Sequence, residues 1–182
     1  MDIYNYENSE KQVTDIVGPS IFLAGPTVRG HQPHLTSWRI EAVEEFKRQN
    51  FEGSLIIPEF TSKIESDKHK KWVPLWELNG LKKSTVILFW IPRSKDFDKE
   101  TGLTGLIGLT TNWEMGYWLG KKHKKVIYGR PDNSYRNDYP DTMVEKLFPE
   151  KTIHNTLENT IKDAIQLANK RYLKNKLNKN LL

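Results

Sequence analysis

Apolar runs of strand length alternate along the chain with longer segments in which apolar residues recur every three or four positions. Several of these runs stop at Gly or Pro, as buried strands do at a turn. The sequence predicts five strands, at residues 20–24, 55–57, 85–91, 125–128 and 151–153. It predicts helices at about residues 37–49, 74–83, 112–120 and 156–172. This alternation is typical of an α/β domain.

The segment 85–91 is apolar almost throughout, as expected for the central strand of a sheet that helices cover on both faces. The order of strands and helices indicates a doubly wound, mostly parallel sheet. Right-handed crossovers bring the carboxyl ends of the strands to one edge, where open α/β folds bind ligands. The turns at this edge are Gly25-Pro26-Thr27, Pro58-Glu59, Pro92-Arg93 and Gly129-Arg130.

A chain of 182 residues, 37% of them hydrophobic, is most simply one globular domain, which we assign to residues 20–170. We interpret the polar residues 1–19 as an N-terminal arm or edge element, and residues 171–182 as a basic tail. Residues 170–182 contain no acid, and their five basic residues, Lys170, Arg171, Lys174, Lys176 and Lys179, account for the net charge of +5. Because the charge is confined to one end, we expect no nucleic-acid partner.

The composition excludes several kinds of chemistry. No cysteine is present, so disulfides, thiolate catalysis and cysteine-based metal sites are ruled out. His31 and His34 have no carboxylate partner at metal-ligand spacing, and we expect neither a metal nor a cofactor. No apolar run has the length of a membrane span, and the first residues lack the pattern of a signal peptide. The expected location is the cytoplasm.

The segment 108–118 joins a glycine-containing loop to an amphipathic run and carries one carboxylate, Glu114, among aromatic residues. Thr110, Thr111 and Asn112 are helix-start residues, which would put Glu114 in the first helical turn at the ligand-binding edge. The spacing Thr111-x-x-Glu114 is also that of a capping box, in which the glutamate only satisfies a backbone amide. Spacing alone favours the capping box.

A set of motifs in a fixed order resembles one family. They are Ile21-Phe-Leu-Ala-Gly-Pro-Thr27, Ser37-Trp-Arg-x-Glu-Ala42, Trp76-Glu77, Val86-Ile-Leu-Phe-Trp-Ile-Pro-Arg93, Thr110-Thr-Asn-x-Glu-x-Gly116 and Tyr128-Gly-Arg-Pro131. Over about residues 20–132 the chain resembles the nucleoside 2-deoxyribosyltransferase-like family. The resemblance implies a flavodoxin-like fold, N-glycosidic bond chemistry on a nucleoside or nucleotide, and a homo-oligomer whose neighbouring subunits complete the pocket.

By this resemblance, Glu114 of the Glu114-Met115-Gly116 motif is the nucleophile. The carboxylate attacks the anomeric carbon and holds the sugar as an ester, which a base or water then displaces with overall retention. A helix N-terminus would favour the anionic form of this carboxylate. Gly116 would let the sugar or a neighbouring strand approach the helix closely.

Two positions depart from the family pattern. The family carries an aspartate six residues before the nucleophile and another at the end of the central strand, where this chain has Gly108 and Trp90-Ile-Pro-Arg93. We assign Asn112 as the second catalytic residue. The other candidate substrate-binding residues are Gly25, Pro26, Thr27, Arg39, Trp76, Glu77, Trp90, Arg93, Thr111 and Arg130.

Some of these candidates have equally simple alternatives. Arg39 either positions the sugar or pairs with a surface acid. Arg93 and Arg130 either bind a phosphate, which would make the substrate a nucleotide, or are solvated loop residues. Most of the tryptophans are expected in the core, with one or two lining the pocket and stacking on a base.

The sequence leaves three functions open. The first is transfer of an N-glycosidic bond on a deoxynucleoside-like substrate through a covalent intermediate on Glu114. The second is hydrolysis of the same kind of bond in a nucleotide or an NAD-like molecule. The third is a non-catalytic nucleotide-binding or regulatory protein that keeps the fold.

Overall fold

A computed structural model describes residues 1–6, 13–28, 35–59, 73–94 and 108–179. The strands of this part of the chain are β1 (Asp2–Tyr4), β2 (Ser20–Ala24), β3 (Ser54–Ile56), β4 (Val86–Trp90), β5 (Val126–Gly129) and β6 (Ile153–His154). Its α-helices are α1 (Trp38–Arg48), α2 (Val73–Lys83), α3 (Leu109–Lys122), α4 (Asp138–Leu147) and α5 (Leu157–Lys179). His31 and His34 lie outside the described residues. No helix in the described ranges has both the length and the apolarity needed to cross a membrane.

The sheet is parallel, with the strand order β1-β3-β2-β4-β5-β6. Strands β2 to β6 have the flavodoxin order, with β4 near the centre, as the sequence predicts. The described sheet has six strands rather than the predicted five. The additional strand, β1, comes from the segment 1–19 and pairs with β3, with Tyr4 opposite Ile56. It is too short to show an apolar run in the sequence.

Helices cover both faces of the sheet, and alternate residues of each central strand face opposite cores. Ile21 and Leu23 of β2 belong to a core that includes residues of α1 and α5. Phe22 and Ala24 belong to the other core, which includes residues of α2, α3 and α4. Burial of each large apolar side chain stabilises the fold by roughly 1.5–3 kcal/mol, and both faces of β2 and β4 contribute.

The helix boundaries differ from the prediction at two functionally relevant places. Helix α3 begins at Leu109, before the predicted start, because Gly108 is its N-cap in the left-handed conformation (φ 66°, ψ 49°). Helix α5 continues to Lys179, through most of the segment predicted as a basic tail. Arg171 ties this part of α5 to the domain, since its Nε donates to the Thr85 carbonyl at 3.0 Å.

Candidate active site

A cleft of about 1320 Å³ lies at the carboxyl ends of β2 and β3. Its walls come from α1, α2 and α3, from the loops after β2 and β3, and from the N-terminal segment. This is the edge where open α/β sheets bind ligands, and its volume is sufficient for a small organic molecule.

The loop after β2, Gly25-Pro26-Thr27, is held by close packing. A Cβ at Gly25 would overlap the carbonyl oxygen of Trp90 and lie 2.8 Å from Cζ2 of Trp38. Trp38 also donates from Nε1 to the carbonyl of Pro26 at 3.1 Å. A Cβ at Gly108 would lie 2.8 Å from Cγ of Pro26, so the same loop contacts the start of α3. Pro26 therefore fixes the loop against α3 rather than facing the cleft.

The buried side chain of Arg39 holds this loop in place through hydrogen bonds to its backbone. Ser37 caps α1, with its Oγ accepting from the Arg39 amide at 3.2 Å. The Arg39 side chain is only 2% exposed, and each guanidinium nitrogen is engaged. Its acceptors are the carbonyls of Leu23 (3.1 Å), Gly25 (3.0 Å) and Pro26 (3.2 Å) and the Thr27 hydroxyl (3.4 Å). Nη1 of Arg39 also lies 3.8 Å from Oε2 of Glu59, a half-buried acid that lines the cleft rather than an exposed surface acid.

Glu114 lines the cleft from the second turn of α3. The capping-box interpretation is wrong, because Gly108 is the N-cap and Thr111 already lies inside the helix. The expectation of a favoured anion is also wrong. Burial, followed by the negative charge of Glu77, raises the pKa of Glu114 from 4.5 to about 7, while Arg39 opposes this rise.

Glu77 of α2 is the second carboxylate of the predicted set that lines the cleft. It accepts a hydrogen bond on Oε1 from the hydroxyl of Tyr6. The Tyr6 ring packs edge-on against Trp76, with 5.1 Å between ring centroids. Among the carboxylates that line the cleft, Glu77 and Glu114 therefore form a pair in which the charge of Glu77 raises the pKa of Glu114, near the buried guanidinium of Arg39.

The exposed aromatic residues of the cleft are not the tryptophans chosen from the sequence. Trp76 and Trp90 are 8% and 6% exposed and do not line the cleft, so their assignment to base stacking is not supported. Trp113, by contrast, is 73% exposed and lines it. Its ring stacks on that of Tyr117 at 5.7 Å and 9°. Trp113 lies off the buried stripe of α3 that includes Met115, and this spacing is the signal that could have identified it.

Three predicted polar residues lie outside the cleft. Arg93 donates to Oδ1 of Asn112 and, at 3.1 Å, to the carbonyl of Arg136. Asn112 is therefore turned toward Arg93 rather than placed beside the nucleophile. Arg130 pairs with Asp141, with Nη2 and Oδ2 2.7 Å apart. Both arginines therefore have a partner within the protein. The sequence had offered two alternatives, binding of a phosphate or exposure to solvent, and the structure shows neither.

The predicted site therefore divides into two sets. The residues that line the cleft are Gly25, Thr27, Arg39, Glu77, Thr111 and Glu114. The residues that the structure places elsewhere are Pro26, Trp76, Trp90, Arg93, Asn112 and Arg130. The first set joins the loop after β2 to helices α1, α2 and α3.

The fold and this cleft define the class of protein: a flavodoxin-like α/β domain with paired carboxylates at the carboxyl edge of its sheet. The chain belongs to the nucleoside 2-deoxyribosyltransferase-like family, whose sequence model matches residues 18–133. This confirms the resemblance seen in the motifs, and the family indicates a nucleoside-modifying enzyme that binds a nucleoside. No curated protein matches the chain.

Proposed function

We propose that the protein transfers the sugar of a deoxynucleoside-like substrate from one base to another through a glycosyl ester on Glu114. The observation that carries this proposal is the position of Glu114, which stands in the cleft, away from any helix-capping role, beside a second carboxylate. A carboxylate that only capped its own helix would face the backbone amides of the first turn.

In the proposed reaction, a carboxylate oxygen of Glu114 bonds to the anomeric carbon as the bond between this carbon and the base nitrogen breaks. The electron pair of that bond leaves with the first base, which takes up a proton from water. A nitrogen of the second base then attacks the same carbon, breaks the ester and releases its own proton. Glu114 returns as a carboxylate, and two displacements retain the configuration.

Glu77 is proposed to act as a fixed negative charge. The transition state of such a displacement resembles an oxocarbenium ion, so a carboxylate held nearby stabilises its positive charge. Tyr6 donates to Glu77, and a hydrogen bond of this kind favours the anionic form of a carboxylate. Burial of Glu114 beside this charge accounts for its raised pKa.

The stacked pair of Trp113 and Tyr117 is proposed as the surface that receives the base. Both rings line the cleft on α3, and the indole is largely exposed. Stacking on an aromatic side chain contributes roughly 1–3 kcal/mol for each base and tolerates several bases. Such tolerance suits an enzyme that exchanges one base for another. Arg93 and Arg130 are engaged elsewhere and do not line the cleft, so neither supports binding of a substrate phosphate, and we propose a nucleoside as the substrate.

Hydrolysis is a second candidate, favoured by one observation. Gly108 occupies the position of a family aspartate, and its left-handed backbone and close contact with Pro26 disfavour a side chain there. A cleft without this aspartate carboxylate offers fewer contacts to a second base. Water needs no such contacts to attack the ester, so the missing carboxylate favours hydrolysis. The two reactions share the first displacement and differ only in what attacks the ester.

Incubation with deoxynucleosides and free bases, followed by chromatography, separates these functions. The proposal predicts base exchange in the wild type and in Glu145→Gln, a matched control on the exposed side of α4. It predicts neither exchange nor release in Glu114→Gln. Release of the base without exchange would show that the enzyme is a hydrolase rather than a transferase. Equal inertness of the wild type and Glu114→Gln on every nucleoside would favour a binding protein.

A further inference from the structure

We infer that Tyr6 is a positioning residue for the proposed reaction: it holds Glu77 over the sugar, so the N-terminal segment outside the family-matched region completes the active site. This inference rests on the proposed function. It concerns residues 1–6, whereas the family match begins at residue 18. The sequence offers no motif in these residues, and only their placement in the fold indicates a role.

The added edge strand brings Tyr6 to the cleft. Strand β1 pairs in parallel with β3, and the amide of Ile57 donates to the Tyr4 carbonyl at 2.8 Å. Because the two strands run in the same direction, the residues after Tyr4 leave the sheet at its carboxyl edge. The residues of this segment that line the cleft are Ile3, Asn5 and Tyr6.

The contacts of Tyr6 fix its hydroxyl in one place. The residue is buried, its ring packs against Trp76, and its hydroxyl donates to Glu77 Oε1. Trp76 and Glu77 are neighbours on α2, so a single side chain from the N-terminal segment contacts both. Burial, reinforced by the charge of Glu77, raises the pKa of Tyr6, so its hydroxyl keeps its proton around neutral pH and can donate to Glu77.

The consequence for the reaction follows from the charge on Glu77. A carboxylate held by a buried phenol keeps one rotamer, and the donated hydrogen bond favours its anionic form, whereas a mobile carboxylate averages its field over several positions. Loss of the hydroxyl should therefore weaken stabilisation of the transition state more than binding of the ground state, so kcat should fall more than KM rises.

A kinetic double-mutant cycle tests this inference. Tyr6→Phe keeps the ring against Trp76 and removes only the hydroxyl. Because a hydrogen bond to a charged group contributes about 1.5–3 kcal/mol, we expect kcat to fall about tenfold or more in the wild-type background. In the Glu77→Ala background the same change should cost less than about twofold, because its partner is absent. Tyr4→Phe, in the same N-terminal segment but outside the cleft lining, is the matched control and should keep wild-type kcat.

An equal loss of kcat in both backgrounds, or no loss in either, would overturn the inference. A second cycle, measured by thermal unfolding of the same variants at pH 8, does not depend on activity. Tyr6→Phe should lower Tm in the wild-type background and have little effect beside Glu77→Ala. If this stability cycle shows coupling while the wild type exchanges no base, the proposed function fails. If the wild type exchanges bases and neither cycle shows coupling, the role of Tyr6 fails.

Discussion

At the scale of single residues, Glu114 combines two properties that normally oppose each other. Its carboxylate must ionise in order to attack a sugar, yet burial and Glu77 raise its pKa to about 7. A carboxylate that gives up its proton near neutral pH is a better nucleophile than one with an ordinary pKa, because its basicity is greater. The same surroundings make Glu114 costly to ionise in the folded protein, and both effects can be measured.

The first prediction concerns the pH dependence of activity. The proposed mechanism requires an ionised Glu114 in the free enzyme, so kcat/KM should rise with pH through a midpoint near 7. In Glu77→Gln the neighbouring negative charge is gone, and the midpoint should move to lower pH even if the maximum rate falls. Kinetics of both proteins between pH 5 and pH 9 measure this shift. An unchanged midpoint in Glu77→Gln would show that the two carboxylates do not interact.

The second prediction concerns stability. Between pH 4.5 and about 7 the unfolded chain releases the Glu114 proton before the folded protein does, so folding becomes less favourable as pH rises. The difference between these pKa values corresponds to at most about 3 kcal/mol above pH 7. Glu114→Gln should therefore raise Tm at pH 8 by roughly 5 °C or more, at roughly 2–4 °C per kcal/mol.

Most of this gain should disappear at pH 5, where the folded wild type keeps the proton. Glu145→Gln, on the exposed side of α4, should show no such pH-dependent gain. A gain in Glu114→Gln that is equal at pH 5 and pH 8 would point to packing rather than ionisation as its cause.

At the scale of elements, the start of α3 determines the position of Glu114, the proposed nucleophile. Gly108 has a positive φ and contacts Pro26, so the helix begins one residue later and carries Glu114 into its second turn. A Cβ at Gly116, in contrast, would meet no described atom within 4 Å beyond the backbone of its own helix, so no described strand approaches the helix there. Gly108 is therefore required by its positive φ and its contact with Pro26, whereas neither constraint applies to Gly116.

This contrast gives a paired prediction for urea unfolding. Gly108→Ala should destabilise the protein by about 1–2 kcal/mol, because a side chain with φ near 66° is strained and would crowd Pro26. Gly116→Ala, the matched control in the open middle of the same helix, should stabilise it by roughly 0.5–1 kcal/mol. Equal effects at both positions would contradict the assignment of Gly108 as the cap.

The exposed face of α3 gives the fourth prediction. Trp113→Ala removes the indole proposed to stack on the base, and KM for the nucleoside should rise about tenfold or more. Tyr139→Ala, an aromatic of similar exposure outside the cleft, is the matched control and should leave KM unchanged. Quenching of tryptophan fluorescence by added nucleoside should also be reduced in Trp113→Ala. An unchanged KM in Trp113→Ala would contradict the proposal that the base stacks on this face of α3.

At the scale of the whole molecule, the sequence was sufficient for the fold but not for the complete site. The strands at the centre of the sheet are buried on both faces and therefore read as apolar runs. Strand β1 is only three residues long and its pairing with β3 is set by the fold, so no local pattern reveals it. Its contribution to the cleft through Tyr6 depends on a contact 71 positions apart in the chain.

The predicted site residues that do not line the cleft were misassigned for a similar reason. Arg93 and Arg130 follow strands at the ligand-binding edge, but their partners Asn112 and Asp141 come from elements that only the fold brings near. Gly25, Glu77 and Glu114 line the same cleft, because they follow or flank the adjacent strands β2 and β4. The spacing of residues in the sequence does not predict which way a loop side chain points, and this is why these residues were wrongly placed in the cleft.

The most direct measurement is the intact mass of the protein after brief incubation with a deoxynucleoside and rapid acid quenching. A covalent mechanism predicts a species heavier by one deoxyribosyl unit in the wild type and in Glu145→Gln. The same species should be absent in Glu114→Gln, and peptide mapping should locate it on Glu114. An adduct that persists in Glu114→Gln, or turnover by the wild type with the sugar attached to a different residue, would contradict the assignment of Glu114 as the nucleophile.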